Sequence, residues 1–304
     1  MSVQLHTRLA LIACTCLAGL PVTAVAQEME PYAYAPNPVG VNFILLGAGE
    51  TWGEILFDAA IPVTDVRARW HGLTLGYGRT FGLFGRAANF ALAAPYVTGD
   101  VSGNVEEVFT EITRTGIADP RLRLSVNLIG SASMTPVEFA TFKQRTTLGL
   151  TFIVAPPLGR YMPDKLINIG SNRWSAKTEL GLSHPAGRWR FEVAAGVWVF
   201  TDNDDFFGGQ LRQQDPVTTF QGHVIYTFRP RLWVAFNANW YRGGRSFVDG
   251  VDAADLQSTS RFGLTAAYPV NRSHSLKLAY SSGATTRIGG DFQQLALIWQ
   301  YAWF

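Results

Sequence analysis

Cysteine and long apolar runs are what this sequence most clearly lacks. Its only cysteines, Cys14 and Cys16, fall within the first 26 residues. Beyond them there is no thiol for a disulfide, a nucleophile or a thiolate metal site. The same part of the chain has no continuous apolar run of about 18 residues, the length that suggests a membrane-spanning helix. Thiol chemistry and helical membrane spans are therefore excluded there.

Charge is also scarce. Asp, Glu, Lys and Arg make up 16% of the chain, with a formal net charge of +2, against roughly 25% charged residues in soluble domains. Such a balance gives no reason to expect a nucleic-acid partner. Aromatics reach 13% and glycine 30 residues, and apolar surface without apolar runs favours alternating strands. In a membrane, such a sheet must close into a barrel, since edge groups find no water there.

The first residues have the pattern of a secretory signal. Arg8 gives a positive start, Leu9–Leu20 is a short apolar segment, and Ala24–Ala26 forms an A-x-A cleavage site. The alternative is an N-terminal membrane anchor, but the apolar segment is shorter than the about 20 residues that a span needs. We expect 1–26 to be removed, 27–40 to be a short periplasmic segment, and 41–304 to form the barrel.

Period-2 alternation indicates about twelve strands, each near the 9–11 residues of a tilted membrane strand. In the clearest, Leu122 and Leu124 alternate with Arg121, Arg123 and Ser125. The predicted strands lie near 41–49, 66–81, 86–98, 116–129, 145–156, 174–184, 188–201, 215–228, 231–242, 257–269, 273–283 and 291–304. The fold class is thus all-β, a closed antiparallel transmembrane barrel, with a soluble β-sandwich or lipocalin-like protein as the alternative.

Two patterns favour the membrane barrel over the soluble fold. Tight turns near 82–85, 185–187, 229–230 and 269–272 alternate with long polar stretches at 50–65, 99–115, 157–173, 202–214 and 243–256, as in barrels with short periplasmic turns and long outer loops. At the exception, 130–144, a capping box at Thr135–Glu138 predicts a short helix. Large aromatics also cluster at strand ends, as in interfacial girdles. They are Trp189, Tyr226, Phe228, Trp240, Tyr268, Tyr280 and Trp303.

The last strand supports the same interpretation. Leu295, Leu297 and Trp299 take one face while Ala296 and Ile298 take the other, and the sequence stops at an aromatic residue. This ending resembles the signal recognised by the outer-membrane barrel-assembly machinery, which makes that machinery an expected partner together with the lipid bilayer.

Several segments resemble the family of outer-membrane proteins named after the meta-pathway of phenol degradation, whose members are described as transporters. The matching segments are Tyr34–Asn42, Gly116–Pro120, Pro157–Tyr161, Ile167–Trp174, Phe200–Asn203, Gln214–Pro216 and Tyr241–Gly244. The resemblance covers nearly the whole chain after the signal. It implies an outer-membrane barrel associated with aromatic-compound catabolism, but it supplies neither a substrate nor catalytic residues.

Projecting the polar face inward gives the candidate pore-lining residues. Basic residues outnumber acidic ones among them, which favours a polar or anionic group such as a phenolate or aromatic carboxylate. The alternative is structural filling by cross-strand pairs, especially of Lys177 and Glu179 with Arg190 and Glu192. The candidates are Arg121, Arg123, Lys177, Glu179, Arg190, Glu192, His223, Arg261 and Lys277. Twelve strands lie between filled and open barrels, so we expect a narrow or partly plugged passage.

Enzymatic and metal-dependent functions are not expected. The four histidines beyond the signal have no partner at catalytic spacing, and the His-x-Ser-Asn arrangement of outer-membrane phospholipases is missing. Asp202–Asp205 suits a hard cation but lacks the spacing of a calcium loop, so neither a metal nor a cofactor is expected. Phe206–Gly209 is either a point of access for hydrophobic solutes or loop packing, and 161–174 either plugs the mouth or covers the loops.

The sequence therefore predicts a passive channel for small aromatic or hydrophobic compounds, with diffusion through a narrow lumen or a lateral gap. The alternative is a structural or surface-binding barrel without transport.

Overall fold

The computed structural model describes residues 30–56, 63–105, 108–286 and 289–304. The predicted signal peptide, 1–26, lies outside them. Among the described residues, no helix is long and apolar enough to cross a membrane. The strands are β1 (Asn42–Leu56), β2 (Val63–Leu83), β3 (Arg86–Val105), β4 (Val108–Ile117), β5 (Arg121–Ile129), β6 (Thr147–Ala155), β7 (Ser175–Ala186), β8 (Trp189–Phe200), β9 (Asn203–Phe206), β10 (Gln210–Gln214), β11 (Val217–Arg229), β12 (Leu232–Gly243), β13 (Ser246–Val248), β14 (Val251–Asp252), β15 (Gln257–Pro269), β16 (His274–Thr286) and β17 (Gly289–Trp303).

Thirteen of these strands form one antiparallel sheet that closes on itself. The first strand pairs with both β2 and the last strand, β17, and the pairing of β2 with β3 completes the ring. β5 pairs with the first half of β3 and β4 with its second half. These two strands therefore occupy one position in the wall, and the prediction of a closed twelve-stranded antiparallel barrel is confirmed.

The structure corrects the bounds of the fourth predicted strand. The sequence predicts one strand over 116–129, but the chain leaves the sheet at Ala118, Asp119 and Pro120. Proline has no N–H for a ladder bond, and both carboxylate oxygens of Asp119 accept hydrogen bonds from a distant loop. The interruption therefore has a local cause and a tertiary one.

The wall is apolar outside and polar inside, as the alternation predicts. On β8 the outward Phe191 and Val193 are 46% and 58% exposed, whereas the inward Arg190 and Glu192 are 4% and 3% exposed. A soluble sandwich would bury the apolar face instead. The exposed apolar face matches the lipid-facing surface of a membrane barrel.

The connections at one end of the barrel are short. The β2–β3 turn consists of Phe84 and Gly85, both with positive φ, and the other three short turns also lie where the sequence places them. The expected helix is present as α1 (Pro136–Thr141), with the Thr135–Glu138 capping box formed. We call this end of the barrel the short-turn end.

Four of the five stretches expected to be long loops contain more regular structure than predicted. Within the described parts of two of these stretches, 50–56, 63–65, 99–105 and 108–115, the wall strands continue, with pairs such as Thr51 with Trp70 and Asp100 with Thr113. Polar, glycine-rich composition there marks strands that leave the bilayer. The stretches 202–214 and 243–256 together form a second, four-stranded sheet in the order β14-β13-β10-β9. Only 157–173 lacks strands.

Candidate functional site

The nine predicted pore-lining residues all lie on the inward face of the wall. Eight of them are buried and one, Arg121, is half-buried. Because water reaches little of the surface of these side chains, protein atoms fill the lumen around them. Their role in solute passage stays a prediction.

The segment before β1, expected to lie in the periplasm, enters the barrel. Of its described residues, Ala33, Tyr34 and Ala35 are at most 7% exposed, and Glu30 forms an ion pair with the lumen residue Arg123. We call residues 30–40 the N-terminal segment. It occupies the part of the lumen near the short-turn end.

Tyr34 anchors this segment at Glu179. The Tyr34 hydroxyl donates to Glu179 Oε1 at 2.6 Å. The second carboxylate oxygen accepts from Gln221 Nε2 at 2.7 Å and lies 2.5 Å from Lys177 Nζ. Lys177 and Glu179 therefore do pair, but along one strand and not across two as expected. The carboxylate is fully engaged, as a buried charge must be.

Room for the Tyr34 ring comes from two glycines on the inward face, Gly149 on β6 and Gly181 on β7. A Cβ atom at either position would overlap the ring. The wall is therefore shaped to receive this side chain.

A second anchor lies at Tyr32. Its backbone N–H donates to Glu192 Oε2 at 2.7 Å, and its hydroxyl lies 2.7 Å from Thr227 Oγ1. The other oxygen of Glu192 accepts from Ser183 Oγ at 2.7 Å, and Ser183 Oγ accepts from Arg190 Nη1 at 2.6 Å. Arg190 and Glu192 are thus linked through a hydroxyl and not by direct contact.

Two further candidates lie deeper in the wall. His223 Nδ1 is 2.8 Å from Asn237 Oδ1, and Asn237 Nδ2 donates to Thr265 Oγ1 at 2.9 Å. Arg261, which is fully buried, donates from Nη2 to Ser281 Oγ at 3.0 Å. Its Nε and Nη1 atoms find no hydrogen-bond partner among the described residues. The lumen thus keeps a cation with unused donors.

At the opposite end, the strandless loop 156–174 folds into the mouth. Its Ile167 and Ile169 pack against an inward apolar cluster that includes Trp70 and Phe292. Asp119 holds the loop by accepting from Gly159 N at 2.8 Å and from the Ser171 backbone and hydroxyl at 2.8 and 2.7 Å. The loop also contacts the β9–β10 region, where Tyr161 Oη donates to Asp205 O at 3.1 Å and Gly208 N donates to Pro163 O at 2.8 Å. It therefore packs both into the mouth and against the neighbouring loops, and whether it plugs the passage stays a prediction.

The same loop covers the outer edge of β4, which pairs with β3 alone within the described sheet. Arg160 N donates to Ile117 O at 2.8 Å and Arg160 Nη1 to Thr115 O at 2.7 Å. A loop and not a strand therefore covers the wall edge here.

Near the end of this loop, Arg173 sits over the Phe200 ring at 4.5 Å and donates to Gln214 Oε1. Burial, with the nearby charge of Arg212, lowers the pKa of Arg173 to about 9. The lowered pKa means that nearby negative charges do not offset the cost of burying this cation.

Of the acidic stretch Asp202–Asp205, all but Asp202 lies in β9, where Asn203 is buried and donates to the Tyr161 hydroxyl at 3.0 Å. Nowhere in the described ranges do three or more His, Cys, Asp or Glu side chains form a group that could hold a metal. Phe206 packs under Arg212 at 5.2 Å, and Phe207 is 46% exposed in the β9–β10 turn.

Sequence reasoning missed the residues that complete the site, notably Tyr32, Tyr34, Ser183, Gln221 and Asn237. Ser183 and Gln221 do alternate onto the inward face, so the strand pattern could have included them. The two tyrosines precede the first strand and carry no periodic signal. The available hints were their aromatic spacing and the place of Tyr34 at the start of the family-like segment Tyr34–Asn42.

A profile of the family described as "Putative MetA-pathway of phenol degradation" matches residues 57–297. The chain belongs to this family. The match excludes the N-terminal segment and includes most of the barrel wall, so membership rests on the wall and its loops. A comparison with curated proteins gave no match.

Solved structures show the same fold. The crystal structure of the COG4313 outer membrane channel from Pseudomonas putida F1 has a TM-score of 0.78 at 19% identity, covering 91% of this chain and all of that one. The beta domain of the Bordetella autotransporter BrkA has a TM-score of 0.50 at 10% identity, covering 87% and 100%. At these identities the likeness concerns the fold, which is that of an outer-membrane barrel.

Proposed function

We propose that this family member is a passive outer-membrane channel for small hydrophobic or aromatic compounds of the phenol type. The family match over residues 57–297 carries the proposal, because the description of that family names phenol degradation. The channel named in the Pseudomonas structure has the same fold and supports the transport half of the proposal. The proposal also includes export of the chain by its predicted signal peptide and its insertion by the barrel-assembly machinery.

Passage along the barrel axis requires the N-terminal segment to move. Its anchors include one ion pair, Glu30 with Arg123, and the hydrogen bonds of Tyr32 and Tyr34 to Glu192 and Glu179. Nearer β1, Val39 N donates to Met134 O and Gly40 N donates to Thr80 O, both at 2.8 Å. A handful of polar contacts holds it, without the continuous ladder that holds the wall. The segment is therefore the part of the lumen that can leave without unfolding the barrel.

Locking this segment tests the proposal. The chain beyond the signal has no native cysteine, and Ala33 and Ala194 belong to one buried cluster. Cysteines at these two positions can be cross-linked by oxidation to a disulfide, and the same variant kept reduced, untreated with oxidant, is the matched control. Flux of phenol and of a sugar of similar size is then measured in proteoliposomes with lipopolysaccharide outer leaflets, which slow unassisted entry.

We expect phenol flux above that of protein-free vesicles in the untreated variant, a several-fold loss after cross-linking, and no sugar flux in either. Phenol flux equal to that of protein-free vesicles, from barrels with the heat-dependent gel mobility of folded protein, would refute the channel.

The second candidate is a structural or surface-binding barrel without transport. The filled lumen, with its buried Lys177–Glu179 pair at 2.5 Å, favours it. The same experiment decides between the two, because this candidate predicts no solute flux whether the segment is free or locked.

A further inference from the structure

The short-turn end of the barrel contains a cavity of about 590 Å³ that the proposed channel does not require. It opens between the β7–β8 and β11–β12 turns, and Tyr32 of the N-terminal segment lies on its inner side. Its volume is in the range of small-molecule sites. We call it the arginine pocket, after Arg188, Arg190, Arg229 and Arg231, which line it.

The charge of the pocket has one sign. Its thirteen lining residues include four arginines and no aspartate or glutamate. Arg188 and Arg229 are exposed at the rim, while Arg231 is held by the carbonyls of Asn271 and Arg272, both at 2.7 Å. A concave surface lined by one sign of charge attracts the opposite ion.

Arg190 is the buried member of this set, at 4% exposure. Its Nη1 donates to Ser183 Oγ at 2.6 Å and its Nη2 to Gln144 Oε1, and both acceptors are neutral. Glu192 reaches it only through the Ser183 hydroxyl. A buried cation without a direct carboxylate partner is costly unless an anion completes it.

Trp233 supplies an independent sign of a ligand. It is 1% exposed, it lines the pocket, and its Nε1 has no hydrogen-bond partner among the described residues. Buried indole N–H groups usually have one. The Trp233 ring lies 5.0 Å from that of Tyr32, and the Arg190 guanidinium lies 5.3 Å from the same Tyr32 ring. Donors and aromatic faces thus meet in one place.

We propose that the arginine pocket binds a small aromatic carboxylate, whose charge is held by Arg190, the rim arginines and the Trp233 indole N–H, and whose ring packs on Tyr32 and Trp233. Ring faces beside a buried donor set favour a compact aromatic acid over a lipid headgroup, which would bring two acyl chains. The site goes beyond the channel, because passage of a neutral solute needs no anion site.

Calorimetry measures binding to the full folded chain in neutral detergent, with benzoate as the probe and benzyl alcohol as its uncharged control. We expect saturable benzoate binding that weakens with salt, and much weaker binding of benzyl alcohol. Arg190→Gln should weaken benzoate binding by tenfold or more and Trp233→Phe by several-fold. Arg245→Gln, at the opposite end of the barrel, should leave it unchanged.

Arg229→Gln keeps the test decisive if Arg190→Gln does not fold, since Arg229 is an exposed rim residue, and a threefold weakening is expected. Absence of saturable benzoate binding to folded wild-type chain, or equal binding of benzyl alcohol, would overturn the proposal. In nanodiscs, competitive loss of benzoate binding with phosphatidylglycerol but not phosphatidylcholine would instead assign the pocket to a lipid phosphate. These readouts need no solute flux, so they fail separately from the proposed channel.

Discussion

Replacing Tyr34 with Phe removes one hydroxyl from the lumen and should loosen the N-terminal segment. That hydroxyl donates to the buried Glu179 carboxylate at 2.6 Å, and a hydrogen bond to a charged group contributes about 1.5–3 kcal/mol. Since Glu179 keeps Lys177 and Gln221 as partners, we expect a loss of about 1.5 kcal/mol, the lower end. About 1.4 kcal/mol corresponds to a tenfold change in an equilibrium, so the displaced segment should become roughly tenfold more populated.

Thiol labelling measures that population directly. A cysteine at Ala33, which is 5% exposed, reacts with a polar maleimide only when the segment leaves the lumen. If the segment returns faster than the reagent reacts, the labelling rate is proportional to the displaced fraction. Labelling should be about tenfold faster in Ala33→Cys/Tyr34→Phe than in Ala33→Cys alone.

The control is Tyr96→Phe, which removes a hydroxyl from the outer wall, where Tyr96 is 50% exposed. Gly181→Ala gives a stronger version, because its Cβ would overlap the Tyr34 ring. Unchanged labelling in both Tyr34→Phe and Gly181→Ala, with folded barrels, would show that Tyr34 does not hold the segment.

Three further outcomes are expected. Leu264→Arg, on the outer face at 61% exposure, should block assembly at a cost of about 2–4 kcal/mol. Phe109→Arg, near the β3–β4 tip, should not block assembly. Equal gel mobility shifts for the two variants would contradict the assignment of Leu264 to the lipid-facing surface. Asp119→Ala removes three hydrogen bonds from loop 156–174 and should speed proteolysis in that loop while sparing the wall. Hydrogen bonds from the Thr135 N–H and hydroxyl lower the pKa of Glu138, so the α1 cap is complete above the ordinary carboxyl pKa and is lost as pH falls through the lowered value. The protection of the α1 amides, measured relative to their intrinsic exchange rates, should therefore fall in acid, and Thr135→Ala should abolish that pH dependence.

The wall was predictable because each strand carries its own evidence. On β5, Leu124 and Ser125 take opposite faces in the sequence pattern and in the barrel, where Ser125 is 2% exposed. Each strand meets a neighbour close in the chain, and alternation of period 2 needs no knowledge of that neighbour. Twelve positions, the short turns and the capped helix all follow from such local signals.

The lumen contents were not predictable by the same reasoning. Tyr34 and its partner Glu179 are 145 residues apart, and nothing in the sequence around Tyr34 alternates. The second sheet was not predictable for a related reason, since its strands β13 and β14 have only three and two residues. Contacts between distant loops are set by tertiary packing, which leaves no periodic trace.

From the proposed channel and the proposed pocket together, we expect neutral and charged aromatics to be treated differently by the inward face. Lys177 and Glu179 already compensate each other, so a neutral ring that replaces the N-terminal segment leaves that pair intact. A carboxylate on the same path would meet Arg123, which loses its Glu30 partner when the segment leaves. It would also lose its hydration close to the Glu179 carboxylate, and desolvating a charge near one of the same sign is costly. At the short-turn end the balance reverses, because Arg190 and the rim arginines face no carboxylate among the residues lining that pocket. A neutral phenol should therefore pass the middle of the lumen more readily than benzoate, while benzoate should be the one retained at the end.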